Sequence, residues 1–236
     1  MAGQYTHHIK NGNSKKQIAM KYIFIFLISL FFSLNLQAKE YKYIERIKDC
    51  YTDIFWKIKT EKYWTVLEAR RVQETYTTTN DSHLNSLEWH LVNTAEKTDI
   101  LAKRQKNLIT ISGVFKSKPI ERKIKIDKDP WYQPMSFSLS KLIKSRKKAI
   151  TFWTLNPTNL KPYKMKALNY GKETIDINGK ETKAYKIKVI LTGFRSMFWH
   201  AFYWYRADDN TLIQYKGVDG PPTSPTTSIN LVEESF

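Results

Sequence analysis

Glu173-Thr174-Ile175-Asp176-Ile177-Asn178-Gly179-Lys180-Glu181-Thr182-Lys183-Ala184-Tyr185-Lys186-Ile187-Lys188-Val189-Ile190-Leu191-Thr192 is the stretch on which the fold turns. Tyr185, Ile187, Val189 and Leu191 fall on one side of an extended chain, and Lys186 and Lys188 on the other. That period of two is a strand's, not a helix's. Asn178-Gly179 separates this strand from Glu173–Ile177. Asn-Gly is the strongest short hairpin signal, because a two-residue turn that matches strand twist needs φ > 0 at both central positions.

The same pattern extends outward in both directions. Downstream, Phe198–Arg206 and Leu212–Lys216 flank the turn Asp208-Asp209-Asn210, and Thr226–Val232 follows the Gly220–Pro225 loop. Upstream, Tyr63–Leu67 and Val72–Thr79 are rich in aromatic and β-branched residues, and Asn80-Asp81 marks a turn. Leu87–Asn93, Leu108–Phe115 and Pro119–Asp127 read as further strands. Met135–Lys147 differs: Phe137, Leu139, Leu142 and Ile143 have near-helical spacing, with Ser136 as N-cap and a basic end at Lys144, Arg146, Lys147 and Lys148. Glu40–Tyr51 is expected to form a second helix. The fold class is therefore mainly β: a single antiparallel, strongly curved sheet, a half-barrel or open barrel, with one short helix against its concave face. A sheet of about eight or more strands has to curl or close to hide its edges.

Ahead of this domain, Tyr22–Leu34 is a nearly unbroken apolar run, preceded by Lys10, Lys15, Lys16 and Lys21 and followed by Leu36-Gln37-Ala38. A basic region, a short apolar region and a small residue at the cut form the order of a secretory signal. A spanning helix needs about 20 apolar residues, so cleavage after Ala38 is preferred over an uncleaved anchor. Met20 is a natural start, making residues 1–19 an upstream extension. The domains are thus 1–38, extension and signal peptide, and 39–236, one β-rich envelope domain in the periplasm.

The 236 residues carry 39 Lys and Arg against 22 acids, a formal charge of +17. Removing four N-terminal lysines leaves +13 for residues 39–236. Export changes what that charge can meet. Nucleic acid is not an expected partner outside the inner membrane; anionic lipid or glycan surfaces are, with plain solvation of strand faces as the bland alternative. Cys50 is the one cysteine, so no internal disulfide can form, and a buried thiol is preferred over a reactive one.

Catalytic motifs are missing. No nucleophile elbow, zinc-protease helix, dinucleotide fingerprint or phosphate loop occurs. Residues 39–236 hold only His83, His90 and His200, at no ligand spacing, and one cysteine excludes a thiolate zinc site. Asp127-Lys128-Asp129-Pro130 has the form of a D-x-D metal motif, but reads better as a strand end and turn. The chain is read as a non-enzyme, with no cofactor and no metal.

Phe198-Trp199-His200-Ala201-Phe202-Tyr203-Trp204-Tyr205-Arg206 is aromatic on both faces. Such a strand is either covered on both sides or lines a cavity on one. Trp199 and Trp204 lie on opposite faces if the strand is regular. The candidate groove comprises Trp64, Trp89, Trp131, Trp153, Trp199, Phe202 and Trp204.

This run, with Asp208-Asp209-Asn210, Tyr215-Lys216-Gly217-Val218-Asp219-Gly220-Pro221-Pro222, Ile177-Asn178-Gly179 and Leu191-Thr192-Gly193, resembles the C-terminal half of a group of uncharacterised exported bacterial proteins. The likeness reaches back to Asp127-Pro130-Trp131-Tyr132. The group is similar in style to the LolA/LolB-like lipoprotein-carrier half-barrels. The resemblance implies an envelope location and an apolar cavity for a lipid or acyl chain, and it brings no catalytic residues. Two readings follow: an envelope protein binding an apolar or lipid ligand, and an interaction module docking on anionic envelope surfaces through Lys116, Lys118, Lys123, Lys125, Lys186 and Lys188.

Overall fold

The computed structural model describes residues 38–193, 199–218 and 225–235. The expected signal run, Phe198 and residues 219–224 of the Pro-rich loop lie outside the described residues.

Eight strands come first: β1 (Lys39–Ile47), β2 (Cys50–Thr60), β3 (Trp64–Arg70), β4 (Glu74–Asp81), β5 (Ser86–Asn93), β6 (Thr98–Gln105), β7 (Leu108–Phe115) and β8 (Lys118–Lys125). A crossover then carries two helical turns, α1 (Met135–Ser138) and α2 (Ser140–Lys144). Six strands complete the fold: β9 (Ala149–Leu155), β10 (Pro162–Ile177), β11 (Lys180–Leu191), β12 (His200–Arg206), β13 (Leu212–Val218) and β14 (Thr226–Ser235). All fourteen belong to one antiparallel sheet, ordered β8 to β1 and then β14 to β9. Consecutive strands pair throughout, except β8 with β9, and β1 also pairs with β14. The free edges are therefore β8 and β9, and the sheet is not closed.

The crossover fastens the open side. Trp153 N–H donates to Pro130 O (2.7 Å), Tyr132 N–H to Trp153 O (2.8 Å), and Ser86 N–H to Trp131 O (2.8 Å). Residues 130–132 thus join β9 to the start of β5. Behind them lies a buried polar relay. Gln133 N–H donates to Ser86 Oγ (2.8 Å), and Ser86 Oγ donates to Asn80 Oδ1 (3.0 Å). Gln133 Oε1 accepts from Thr154 Oγ1 and Leu155 N–H, both at 3.0 Å. A relay this buried holds the crossover in place only because its polar atoms are paired.

Two apolar cores form. The larger joins Tyr43, Leu67, Leu139, Leu142, Phe152 and Ile187 on the concave side. The smaller packs Trp89, Ile100, Ile109 and Ile111 from β5–β7 against Trp131 and Leu160. The helical turns lie on the concave face, where the Tyr205 hydroxyl donates to Ser136 O at 2.6 Å.

Four expectations change. Glu40–Tyr51 is not helical: it is β1, a two-residue turn at Lys48-Asp49 and the start of β2. Tyr41, Ile44 and Ile47 mimic an i, i+3 stripe, yet Tyr41, Tyr43 and Glu45 are the buried, inward set. The helix is two short turns ending at Lys144, and Pro134, not Ser136, precedes it without a side-chain cap. Asn80 and Asp81 belong to β4; the turn follows, with Asp81 Oδ1 accepting from the N–H groups of His83 (2.8 Å) and Asn85 (2.9 Å). Cys50 is exposed, because it opens β2 beside the hairpin turn instead of facing a core.

Candidate functional site: an aromatic groove with a polar inner end

The inward residues of β1 and β2 alternate with outward ones, so Tyr41, Tyr43, Trp56 and Ile58 share the concave side. With Phe137 from α1 and Tyr205 from β12 they line a groove of about 420 Å³. That lies within the range of about 300–1,000 Å³ usual for small-molecule sites. Its rim carries Lys39, Lys62, Lys141 and Lys144, with Glu61 and Asp209 as the acids. Trp64 stands at the mouth, 44% exposed. Tyr43 and Trp56 pack as a tilted pair, 4.9 Å between ring centres with 55° between planes, at the inner end of the groove. Burial raises the Tyr43 and Tyr205 hydroxyls well above the ordinary tyrosine range, so both stay protonated.

Adjoining the groove at this end is a smaller chamber of about 170 Å³. It shares Tyr43, Trp56, Ser136 and Leu212 with the groove. Its remaining lining mixes Ile54, Ile229 and tyrosine rings with the polar groups of Glu45, Arg71 and Thr227. Arg71 Nη1 donates to Glu45 Oε2 at 3.1 Å, and Glu45 is 8% exposed. Burial pushes Tyr76 up to about 12, against the opposing effects of Arg71 and a hydrogen bond with Trp56. Thr227 is 3% exposed, and its hydroxyl has no partner among the described residues; Arg71 Nε is buried and also lacks one there. A third cavity, about 520 Å³, lies by Lys42, Lys57 and Arg70, which pair with Asp53, Glu40 and Glu68 respectively.

The seven aromatic residues expected to form a groove are not brought together. Trp64 alone lines the groove described above. Trp89 and Trp131 are buried in the smaller core. Trp153 donates its indole N–H to Asp127 Oδ1 at 2.8 Å, with Lys164 Nζ over its ring. Trp199 donates to Val218 O at 2.7 Å and packs at the larger core. Phe202 and Trp204 share the convex face of β12, since Tyr203 and Tyr205 take the concave one. There Lys186 stands over both rings, Lys188 over Phe202 and Lys216 over Trp204, all within 6 Å, while Trp204 Nε1 donates to Glu173 Oε1 at 2.6 Å. Sequence reading missed Tyr43, Trp56 and Tyr205 as groove residues. The alternation Tyr41, Tyr43 and Ile54, Trp56, Ile58 is the signal that finds the first two.

The residues tested for chemistry are spoken for locally. Lys164 bridges Asp127 and Asp129, and Thr151 Oγ1 donates to Asp129 Oδ2 at 2.7 Å. The two carboxylates therefore tie β9 and β10 to the end of β8. His83, His90 and His200 sit on separate elements, engaged with Lys141, Asp99 and Phe202 respectively. Among the described residues no three His, Cys, Asp or Glu side chains converge as metal ligands would.

No protein-family model and no curated protein matches the chain in sequence. Solved structures do match in shape. A β-barrel-like protein of the domain of unknown function DUF1849 from Brucella abortus superposes with a TM-score of 0.60 at 9% identity, covering 86% of this chain and 98% of that one. An outer membrane lipoprotein-sorting domain from Vibrio parahaemolyticus gives a TM-score of 0.35 at 10% identity, covering 92% and 93%. The lipoprotein YmcC from Escherichia coli gives 0.38 at 10% identity, covering 90% and 96%. At such identities the likeness is one of fold, and it is carried by the first: this chain has the architecture of a β-barrel-like domain whose sheet stays open.

Proposed function

We propose that the chain is a non-enzymatic, exported cell-envelope protein that binds an apolar or lipid ligand on the concave face of its sheet. The observation that carries the reading is the groove: aromatic and aliphatic walls that include Tyr41, Tyr43, Trp56, Ile58 and Phe137, about 420 Å³ of space, and four lysines on the rim. Aromatic walls supply apolar area and rim ammonium groups suit an anionic lipid surface at the mouth. The order of basic, apolar and small residues before Lys39 supports export.

Titration with a fluorescent fatty-acyl probe tests it. Parent protein should bind saturably, and Ile58→Asp or Phe137→Asp should abolish uptake with the far-UV spectrum unchanged. Phe202→Ala, on the convex face, should bind as the parent does. Absence of saturable binding in the parent overturns the reading.

A second reading has its own observation, the lysine–aromatic ladder of β11–β13. It makes the convex face a docking surface for anionic envelope lipids. Sedimentation with anionic vesicles should then weaken steeply with salt, as exposed charges are screened beyond about 8 Å at physiological ionic strength. Binding that ignores salt rejects it.

A further inference from the structure

We infer that the inner chamber reads a carbonyl group, so that the ligand of the groove is a single-chain amphiphile with an uncharged ester or amide head; this rests on the groove reading above. Two observations converge on that chamber. Arg71 and Thr227 both line its 170 Å³, and among the described residues the buried atoms Thr227 Oγ1 and Arg71 Nε have no hydrogen-bond partner. Buried polar groups are ordinarily paired, and a donor left without an acceptor is costly. Both orphans carry a hydrogen to donate, which calls for an acceptor oxygen.

Charge decides which acceptor. The Arg71 guanidinium is already matched by the Glu45 carboxylate at 3.1 Å. A free carboxylate placed in the chamber would meet Glu45 with like charge in a poorly solvated space, whereas a carbonyl needs only the two donors. Size decides the rest. At about 30 Å³ per water, its 170 Å³ equals about six water volumes, enough for a small head but too little for a chain. The chain has the adjoining groove, whose walls Tyr43, Trp56 and Leu212 are common to both spaces. The ligand therefore lies with its head toward Arg71 and Thr227 and its hydrocarbon along Ile58 and Phe137.

Competition against the fluorescent acyl probe tests this with three matched ligands: monopalmitoylglycerol, hexadecylglycerol (the ether, lacking only the carbonyl) and palmitate. The ester should compete about tenfold better than the ether, the worth of one net hydrogen bond, and better than palmitate at neutral pH. Thr227→Val keeps the shape and removes the hydroxyl, so it should erase the ester's advantage while leaving the ether's affinity unchanged. Glu45→Gln should raise palmitate toward the ester. Equal competition by ester and ether means that the chamber reads nothing and is simply hydrated, which overturns this inference and leaves the groove reading intact. Palmitate as the best competitor overturns it too. If no ligand displaces the probe because the parent never binds it, both readings fall together.

Discussion

Asp127 illustrates how far one residue's chemistry is settled by its neighbours. Hydrogen bonds from Lys164, Trp153 Nε1 and the Asp129 N–H lower its carboxyl to about 2. Asp209 also falls to about 2: burial would raise it, but hydrogen bonds from Arg206 and from the Thr211 N–H and hydroxyl outweigh that effect. The sign follows directly. A carboxyl bound more strongly as its anion in the folded state adds stability above its unfolded pKa of about 3.9. That contribution is lost as pH falls through about 2. Thermal melts should thus show Tm dropping between about pH 4 and pH 2, and Asp127→Asn together with Asp209→Asn should flatten that drop. An unchanged slope in the double variant would assign acid sensitivity to other groups. Trp89 offers a different test. It is 1% exposed in the smaller core, so Trp89→Ala should cost about 3–5 kcal/mol by chemical denaturation. Trp64→Ala, at the groove mouth, should cost far less and weaken acyl-probe uptake instead.

At the scale of elements, the hairpins were the legible part. Asn178 and Gly179 adopt φ of 54° and 80°, the conformation that the Asn-Gly pair promises, and β5, β7, β8 and β11–β14 lie close to where alternation sets them. Failures have a common physical origin. β6 reaches its core with Ile100 and the small Ala102, too little apolar contrast to register beside Asp99, Lys103 and Arg104. β1 carries Glu45 at an inward position, so the charged residue interrupts the stripe that would have marked a strand. The groove was lost with it, because Tyr43 and Trp56 come from β1 and β2. What makes Glu45 tolerable is Arg71, twenty-six residues away, and no local pattern reveals such a partner. Gly113 in β7 gives this scale its prediction. At φ 127°, a Cβ would sit 2.2 Å from Asp99 O, backbone that cannot rotate aside. Gly113→Ala should destabilise by about 1–3 kcal/mol or more, seen as a lower urea midpoint with the slope unchanged. Gly179→Ala also meets a positive φ but open space, and should cost less.

The whole molecule depends on how its open side is held. The free edges β8 and β9 are joined by the crossover, and Gln133 links it to both β5 and β9. Truncating Gln133 to Ala leaves the Leu155 N–H and Thr154 hydroxyl unpaired in a buried place, at about 1–3 kcal/mol for each orphaned group. Amide exchange should then accelerate first along β9 and around Ser86, while β2–β4 stay protected. Uniform acceleration across the sheet would mean that the crossover is not a separable latch.

The pairing of β1 with β14 bears on how such a chain can mature. A polypeptide that emerges amino end first delivers β1 well before β14, with β2–β13 made in between. Until then β1 has a partner on one side only, and its other row of amides is a sticky border open to any stray strand. Contacts so distant along the chain also make folding slow. A nascent molecule of this kind needs a holding factor, or a swift passage, until β14 arrives. A version lacking Thr226–Ser235 should accumulate as aggregate even though every other strand is intact.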